Sequence, residues 1–311
     1  MLFSGAIPED DIMTAVMDLR DTETERTLLG LFASLTGNFM FSSSDAIVKT
    51  LSTRYSVFQI IVLQASFALV PLAVMMFRDG GLRDLRVRHP RLVLLRAITA
   101  GTGTIFGFFA FSQMPLAETY SIFFCTPILV TILSIPILGE RVGLHRWGAV
   151  LLGLIGVLVM VRPGFVTLHI GHAAALVAAT IGAATVLLMR RIARDEQRSV
   201  MVLAVVLGLI TVSLPGMIMT FRPPSPQDLA FFAACGLLMG SGQFLVVRSL
   251  SLAPASVVAP MQYSQMLWAL AYGFILFGTD IDPPVVIGAM IVIASGLFIM
   301  HRERRRRVRT D

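Results

Sequence analysis

The sequence predicts an all-α integral membrane protein with ten transmembrane helices, arranged as two inverted repeats of five helices. Three observations predict this fold class: an apolar composition, ten apolar runs of membrane-spanning length, and basic residues concentrated on one side of those runs. Of the 311 residues, 56% are hydrophobic and 14% are charged, and the mean hydropathy is +0.80. Soluble domains are roughly 45–50% apolar and 25% charged, so the composition argues against a soluble enzyme.

Ten apolar runs divide the chain, and each approaches the about 20 residues that a helix needs to cross a bilayer. Because lipid offers the backbone no hydrogen-bond partner, each run is predicted to be a helix. The alternating pattern of a transmembrane barrel strand is absent from the sequence. The runs are 27–48, 57–77, 91–111, 116–138, 144–161, 170–189, 200–220, 228–249, 255–277 and 284–301.

Two charged tails flank the runs. Residues 1–26 are rich in Asp and Glu and are predicted to form a disordered cytoplasmic tail. They lack the basic and apolar regions of a cleavable signal peptide. Residues 302–311 are predicted to form a basic cytoplasmic tail, whose arginines would be attracted to anionic lipids.

The basic residues also predict the orientation in the membrane. Twenty of the 25 Lys and Arg residues fall on one side of the predicted membrane and four on the other, with Arg96 inside the third run. Cytoplasmic loops carry the excess of basic residues. Both termini are therefore predicted to be cytoplasmic, which requires an even number of spans.

The two halves of the chain share residues at a fixed distance. Gly101, Gly103, Ser112, Pro115 and Gly139 recur 139 positions later as Gly240, Gly242, Ser251, Pro254 and Gly278. We therefore predict a first repeat at 27–164 and a second at 165–301. A repeat with an odd number of spans enters the membrane upside down in its second copy, which is a transporter architecture with the substrate site between the copies.

Both halves also carry motif blocks of one family. The blocks are Pro115–Thr119, Gly139-Glu140, Arg146–Gly148 and Leu158–Gly164, then Ala253–Pro260, Phe277-Gly278, Ile287-Gly288 and Ser295-Gly296. With these blocks the chain resembles the EamA family of the drug/metabolite transporter superfamily over about residues 27–302. The resemblance implies a ten-helix carrier of the bacterial inner membrane with cytoplasmic termini.

The resemblance also favours some classes of substrate over others. Among branches for amino-acid export, drug export, S-adenosylmethionine uptake and riboflavin uptake, the blocks are most similar to the vitamin and nucleoside-like uptake branches. Few charges line the inferred cavity, which favours a neutral or zwitterionic, partly aromatic metabolite. Riboflavin uptake is the leading expectation, and export of amino acids or drugs is the alternative.

A polar stripe on the first helix is the first candidate site. Ser34, Asn38, Ser42, Asp45 and Lys49 lie on one helical face. We expect this face to line the substrate cavity, with Asp45 contacting substrate or a proton. The alternative is hydrogen bonding between helices together with a local Asp45–Lys49 pair.

The ninth helix and its counterpart, the fourth, supply the second candidate site. Gln262, Tyr263 and Trp268 offer a planar ligand stacking surfaces and uncharged hydrogen bonds. Tyr120 and Phe124 belong to the fourth helix, and Phe124 matches Tyr263 at the 139-residue offset. We expect these aromatics to pair across the pseudo-symmetry axis, although aromatic residues also occupy interfacial belts and ordinary packing positions.

Four further polar residues lie within or near the runs. Gln64 and Gln243 must face protein or water, because an unpaired amide in lipid is costly, and both are candidate substrate contacts. Glu118 is read as a gate or, alternatively, as a solvated first-turn residue. Arg96 is expected to snorkel to the cytoplasmic phosphates.

Other functions would require sequence motifs or domains that the sequence does not show. A membrane enzyme would need motifs such as H-E-x-x-H or G-x-S-x-G, which are absent, and a receptor would need an output domain. The basic residues lie in loops and a tail, which does not suit nucleic-acid binding. We expect a non-enzymatic, alternating-access carrier in which one half rocks against the other. Its expected partners are a small-molecule substrate and the bilayer, without cofactor or metal, as a monomer or homodimer.

Overall fold

A computed structural model describes residues 9–78, 87–139, 144–161, 169–192, 195–254, 258–280 and 282–307. Within these ranges the secondary structure is helical and contains no β-strand. The predicted all-α class is thus confirmed for the part of the chain that is described. Helix is present within each of the ten apolar runs.

Eleven α-helices and one 3₁₀ helix make up the described chain. They are α1 (Glu9–Leu51), α2 (Val57–Arg78), α3 (Pro90–Gln113), α4 (Leu116–Phe123), α5 (Thr126–Leu138), α6 (Leu144–Val161), α7 (Ile170–Ile192), α8 (Arg198–Thr220), α9 (Pro226–Leu252), the 3₁₀ helix (Ala259–Tyr263), α10 (Ser264–Phe277) and α11 (Pro283–Arg307).

The lengths and compositions of these helices are those of a multi-pass membrane protein. Among the described residues, six helical stretches are long and apolar enough to cross a bilayer: α2, α3, α4 with α5, α7, α8 and α9. A shorter apolar stretch, Pro283–Ser295, lies in α11.

The N-terminal segment differs from its prediction. Helix α1 begins at Glu9, so helix covers most of the acidic segment 1–26 for which we expected disorder. The expectation relied on charge alone. However, Glu, Met, Leu and Arg are good helix formers, and no proline interrupts the chain between Glu9 and the apolar run, so the helix extends through the charged residues.

Proline breaks the fourth apolar run into α4 and α5. A proline within a helix clashes with the carbonyl four residues earlier and cannot donate a hydrogen bond to it. For Pro127 that carbonyl belongs to Phe123, the last residue of α4. The Thr126 hydroxyl donates to the Phe123 carbonyl over 2.5 Å, which satisfies the freed acceptor. The ninth apolar run is irregular at the equivalent position of the second half, where the 3₁₀ helix precedes α10.

Two glycines end the helices that follow these breaks. Gly139 ends α5 and Gly278 ends α10, with φ values of 68° and 59°. Only glycine reaches this left-handed conformation without steric cost, which makes it the common residue after a helix end. The pair matches at the 139-residue offset, so the two halves of the chain end their broken helices in the same way.

Helices of the two halves interleave in the bundle. Helix α1 packs along α9, α3 packs along α7, α2 packs against α8 and α9, and α6 packs against α11. Small residues permit the closest approaches. A Cβ atom added at Gly37 of α1 would lie 2.9 Å from the carbonyl oxygen of Gly242 in α9.

Candidate functional site

A cavity of about 410 Å³ lies between α1, α3, the α4–α5 break and α7. Its polar lining consists of one carboxylate and four hydroxyls, from Asp45, Thr99, Thr104, Thr126 and Thr185. Glycines and alanines on α3 and α7 leave the space open. The volume lies within the roughly 300–1,000 Å³ that is usual for small-molecule sites.

The threonine hydroxyls already donate their hydrogens to the protein. Thr99 donates to the Arg96 carbonyl over 3.0 Å and Thr104 to the Ala100 carbonyl over 2.9 Å. Thr185 is within reach of its own helix at Ile181 and of Thr99 across the cavity. Since a hydroxyl has one hydrogen and two lone pairs, these oxygens remain able to accept. The cavity therefore offers hydrogen-bond acceptors to a ligand that is rich in donors.

Asp45 is the ionisable residue among the lining residues that the structure describes. Its carboxylate accepts a short hydrogen bond from the Tyr120 hydroxyl, and the Tyr120 oxygen also lies 3.4 Å from the Ser42 hydroxyl. Three predicted site residues thus form one connected group. This group joins α1 to α4, directly before the helix break.

Lys49 does not pair with Asp45, so the local pair that we weighed as an alternative does not form. The Lys49 ammonium donates instead to the carbonyls of Phe111 and Met114, over 3.0 and 2.5 Å. The last carbonyls of a helix have no partner within it and attract cations. The carbonyls at the end of α3 therefore bind Lys49 in place of the neighbouring carboxylate, and the hydrogen bond from Tyr120 is the side-chain contact that the structure gives Asp45.

Aromatic rings form the apolar wall of the site. Phe111 contacts Tyr120 and Phe123 with ring centroids 5.7 and 5.5 Å apart. Phe124 and Tyr263 meet edge to face at 5.2 Å, so the expected pairing of these matched residues is found. Both lie where their apolar runs are irregular. The Tyr263 hydroxyl is buried and has no hydrogen-bond partner among the described residues.

The remaining candidates on the ninth run lie apart from the cavity. Trp268 packs edge to face on Phe39 of α1, with centroids 4.9 Å apart, and its buried Nε1 has no partner in the described chain. Tyr272 lies 2.6 Å from the Ser43 hydroxyl. Gln262 is exposed. Trp268 and Tyr272 therefore contribute to the contact between α1 and α10, and neither they nor Gln262 line the described cavity.

The buried amides have different surroundings. Gln64 donates to the Ser44 hydroxyl over 2.9 Å, and Ser44 donates to the Cys235 carbonyl over 3.0 Å. This network ties α1, α2 and α9 together, so Gln64 faces protein, which is one of the two environments expected for it. Asn38 is buried and donates to the Ser34 carbonyl of its own helix over 2.8 Å. Gln243 is half-buried on α9.

The acidic and basic outliers are also paired within the protein. The Glu118 carboxylate lies in the first turn of α4, as the alternative had it, but it is 2.8 Å from Nε2 of His172 on α7, a partner that the solvated first-turn interpretation does not include. The Arg96 guanidinium donates to the Met201 carbonyl of α8 over 2.6 Å, which is a protein partner that the expectation of snorkelling did not include. Helix packing supplied these partners, which the sequence pattern did not indicate.

Of the ten predicted site residues, only Asp45 lines the cavity directly. Ser42 and Tyr120 connect to Asp45 through the hydrogen bonds described above. Phe124 packs on Tyr120 with ring centroids 6.1 Å apart, and Tyr263 packs on Phe124. Sequence reasoning missed the threonines, because a threonine in an apolar helix is usually a packing residue. The glycines beside Thr104, Gly103 and Gly107, also line the cavity, and their small size was the available signal.

Comparisons with known proteins bear on the function. The model of the EamA-like transporter family matches the chain twice, over residues 28–162 and 169–301. A protein of Helicobacter pylori named "Uncharacterized transporter" is 22% identical over 285 residues, covering 88% of this chain and 94% of the relative. The S-adenosylmethionine uptake transporter of Rickettsia prowazekii is 24% identical over 267 residues, covering 85% of this chain and 90% of the relative.

Two further similarities complete the comparison. The riboflavin transporter of Rhizobium johnstonii is 26% identical over 230 residues, covering 73% of this chain and 75% of the relative. A solved structure described only as a crystal structure of a protein is similar with a TM-score of 0.61 and 19% identity, covering 91% of this chain and 98% of that chain. At that identity the likeness concerns the fold alone.

Proposed function

This chain belongs to the EamA-like transporter family, and we propose that it carries a small, partly aromatic metabolite across the bacterial inner membrane by alternating access. The observation that supports this most is the cavity at the break between α4 and α5. A space of about 410 Å³ within a bundle of apolar helices, lined by a carboxylate and hydroxyls, can hold a metabolite away from both lipid and water.

The proposed architecture is ten spans in two inverted five-helix repeats, at 27–164 and 165–301. Matched glycines support it by making equivalent contacts. Gly101 of α3 lies against Gly208 of α8, and its match Gly240 lies against Ala68 of α2. Helices α2 and α8 are the second helices of the two proposed repeats. A rotation that exchanges the copies would convert one contact into the other.

Helix pairing supports the same exchange. The packing of α1 along α9 corresponds to that of α7 along α3, and the packing of α2 on α9 corresponds to that of α8 on α3. Helices α6 and α11, the last of each proposed repeat, pack against each other. With both termini in the cytoplasm, the flanking segments 1–26 and 302–311 would be cytoplasmic tails, as the basic-residue count favours.

Riboflavin is the leading substrate, and uptake is the proposed direction. Riboflavin is neutral and combines a flat ring system with a ring N–H and a chain of hydroxyls. Phe111 and Phe123 would contact the ring, while the acceptors at Asp45 and the threonines would receive its donors. The riboflavin transporter of Rhizobium johnstonii is a relative over most of its length, which supports this choice over amino acids or drugs.

S-adenosylmethionine is the second candidate, because Asp45 places an acidic group at the cavity. This metabolite carries an ammonium, a sulfonium and an adenine ring, and a carboxylate without a basic partner would attract its positive groups. The Rickettsia prowazekii relative is named for its uptake. Riboflavin is uncharged and offers only hydrogen-bond donors to Asp45. The two substrates would therefore interact with this residue differently.

Uptake assays decide between these substrates. Cells that lack their own carriers would express the chain and be supplied with radiolabelled riboflavin or radiolabelled S-adenosylmethionine, with the empty vector as the baseline. We expect riboflavin to accumulate and a riboflavin auxotroph to grow at low vitamin concentration. Accumulation of S-adenosylmethionine alone would favour the second candidate. Riboflavin loss from preloaded cells without uptake would favour export.

A further inference from the structure

The cavity has an equivalent region in the other half of the bundle. The 139-residue offset relates α3 to α9 and the α4–α5 region to the 3₁₀–α10 region. Contacts relate α7 to α1: Gly103 faces Ile181, and Gly242 faces Met40. Position 181 therefore corresponds to position 40, an offset of 141 that also separates the starts of the two family matches, 28 and 169. We call the region between α1, α9 and α10 the counterpart seam.

Amides replace the small and hydroxylic residues in this seam. Thr104 corresponds to Gln243, Thr126 corresponds to Gln265, and Ala179 of α7 corresponds to Asn38. Asn38 is buried, whereas Gln243 and Gln265 are half-buried. Three amides therefore fall on three different helices around one line of contact, at positions whose equivalents line the cavity.

The counterpart seam is closed where the cavity is open. A Cβ atom added at Gly242 would lie 2.9 Å from the carbonyl oxygen of Gly37, and one added at Gly37 would lie 2.9 Å from a Val246 methyl. In contrast, a Cβ atom added at Gly182, beside the cavity, would meet no atom within 4 Å. At Gly103, which matches Gly242, an added Cβ atom would lie 3.1 Å from an Ile181 methyl but 3.9 Å from the carbonyl oxygen of Ala178. The helix backbones are thus closer in the counterpart seam than beside the cavity.

Polar groups without partners accompany the closed seam. The Tyr263 hydroxyl and the Trp268 Nε1 are buried and lack hydrogen-bond partners among the described residues, and Trp268 packs against α1. Buried polar groups in folded proteins are nearly always hydrogen-bonded, so an exception calls for an explanation. A ligand that enters the seam in another conformation would provide those partners.

We propose that the counterpart seam opens when the cavity closes and then forms a second substrate chamber, lined by Asn38, Gln243 and Gln265. Each amide supplies both donors and acceptors, whereas the cavity in this structure supplies acceptors. The second chamber therefore selects a ring edge with adjacent donor and acceptor groups. The inference rests on the proposed transport function and names the groups that recognise substrate in the alternate state.

The access of the two chambers follows from the contacts around the cavity. Lys49 ties α1 to α3 through its hydrogen bond to the Phe111 carbonyl, and Glu118 ties α4 to α7 through its contact with His172. Both contacts lie beyond the end of the cavity that Asp45 lines. The cavity extends in the other direction to Thr99 and Thr185, toward the end of the bundle at which α3 begins. Pseudo-symmetry gives the counterpart seam the opposite access. Substrate meets threonines and Asp45 from one face of the membrane and amides from the other.

Cysteine labelling tests this without knowledge of the substrate. In the full chain with Cys125 and Cys235 replaced by alanine, Thr104→Cys and Gln243→Cys would each be treated with a membrane-impermeant thiol reagent. Right-side-out and inside-out vesicles expose opposite faces. We expect the two cysteines to react from opposite faces. Reaction of both from one face, or of Thr104→Cys alone, overturns the second chamber.

Transport kinetics in the same two vesicle orientations provide the second measurement, with riboflavin and S-adenosylmethionine as probes. We expect Gln243→Leu to raise the half-saturating concentration about tenfold from one face, and Thr104→Val to raise it from the other. Unchanged values for Gln243→Leu at both faces overturn the inference. If the unmodified chain transports neither probe, the proposed substrates are wrong, while the labelling result still decides whether the chamber exists.

Discussion

The seam between α3 and α7 and the seam between α1 and α9 are built on equivalent residues but pack differently. Gly103 and Gly242 occupy matched positions, yet the backbone of α1 lies directly on Gly242, while a cavity opens beside Gly103. The difference teaches that an internal repeat specifies which helices meet, and not how closely they meet. The proposed carrier needs this freedom, since we propose that its two states exchange open and closed seams as one repeat rocks against the other.

Hydrogen bonding distinguishes the two seams further. Ser44 of α1 corresponds to Thr185 of α7, and both side chains bond across their seams. Ser44 belongs to a network that includes Gln64 and the Cys235 carbonyl. Thr185 reaches only the Thr99 hydroxyl across its seam within the described contacts. The closed seam therefore has the more extensive polar network as well as the closer backbones.

The largest expected effect comes from adding one methyl group to each seam. In Gly242→Ala the new Cβ would lie 2.9 Å from the Gly37 carbonyl oxygen. Overpacking of this kind costs about 1–3 kcal/mol. In Gly182→Ala the new atom meets nothing within 4 Å, and alanine is the better helix former by about 1 kcal/mol.

Thermal unfolding in detergent measures this difference. We expect Gly242→Ala to unfold several degrees below the unmodified chain and Gly182→Ala to unfold at or above its temperature. The two variants are matched, since each converts a helical glycine to alanine. Equal unfolding temperatures for both variants would contradict the difference in packing between the seams.

The next effect concerns the charge in the open cavity. Asp45→Asn keeps the size of the side chain but removes the acidic group. We expect the initial rate of uptake to fall about tenfold, equivalent to about 1.4 kcal/mol, with a larger fall for S-adenosylmethionine than for riboflavin because the former is cationic. Immunoblots of membranes should give normal levels of the protein.

Asp195→Asn is the matched control for the charge. The Asp195 side chain is 55% exposed and lies 3.4 Å from His89, away from the cavity. Uptake should therefore be unchanged in this variant. If Asp45→Asn also transports at the normal rate, Asp45 does not contact the substrate, and the wall of threonines and phenylalanines would have to account for recognition.

The sequence predicted the helices better than it predicted their neighbours. Length and apolar character define a membrane-spanning helix locally, so all ten runs contain helix. Matched residues in the repeat were also informative, since Phe124 meets Tyr263. The first signal depends only on the residues of one run, and the second depends only on the fixed spacing between the two halves.

The partners of charged residues could not be predicted in the same way. Lys49 bonds to carbonyls of α3, and Glu118 bonds to a histidine 54 positions away. Those partners depend on where helix ends meet in space, which spacing along one helix does not encode. The threonine-lined cavity was missed for a related reason, because open space is a property of several helices together.

The third prediction weakens the polar network of the closed seam. Gln64→Leu removes the amide that donates to Ser44 over 2.9 Å while nearly preserving side-chain volume. Losing a buried hydrogen bond costs about 0.5–1.5 kcal/mol. We expect a lower unfolding temperature, and faster labelling of Gln243→Cys in the cysteine-free background because the seam opens more often. Slower labelling would show that the network does not hold the seam closed.

The smallest effect is expected from the equivalent bond in the open seam, which Thr99→Val removes. Thr185 donates either to the Thr99 hydroxyl over 3.0 Å or to the Ile181 carbonyl of its own helix over 2.9 Å. When Thr99 is absent, the Thr185 hydrogen remains bonded to Ile181, so no buried donor is left without a partner. Interhelical hydrogen bonds in membrane proteins average about 0.6 kcal/mol, and this one should cost no more than that. The same thermal unfolding assay should therefore show a smaller decrease for Thr99→Val than for Gln64→Leu. A reversed order would mean that the seam beside the cavity is the more strongly bonded one, and that the open space coexists with a seam that resists rearrangement.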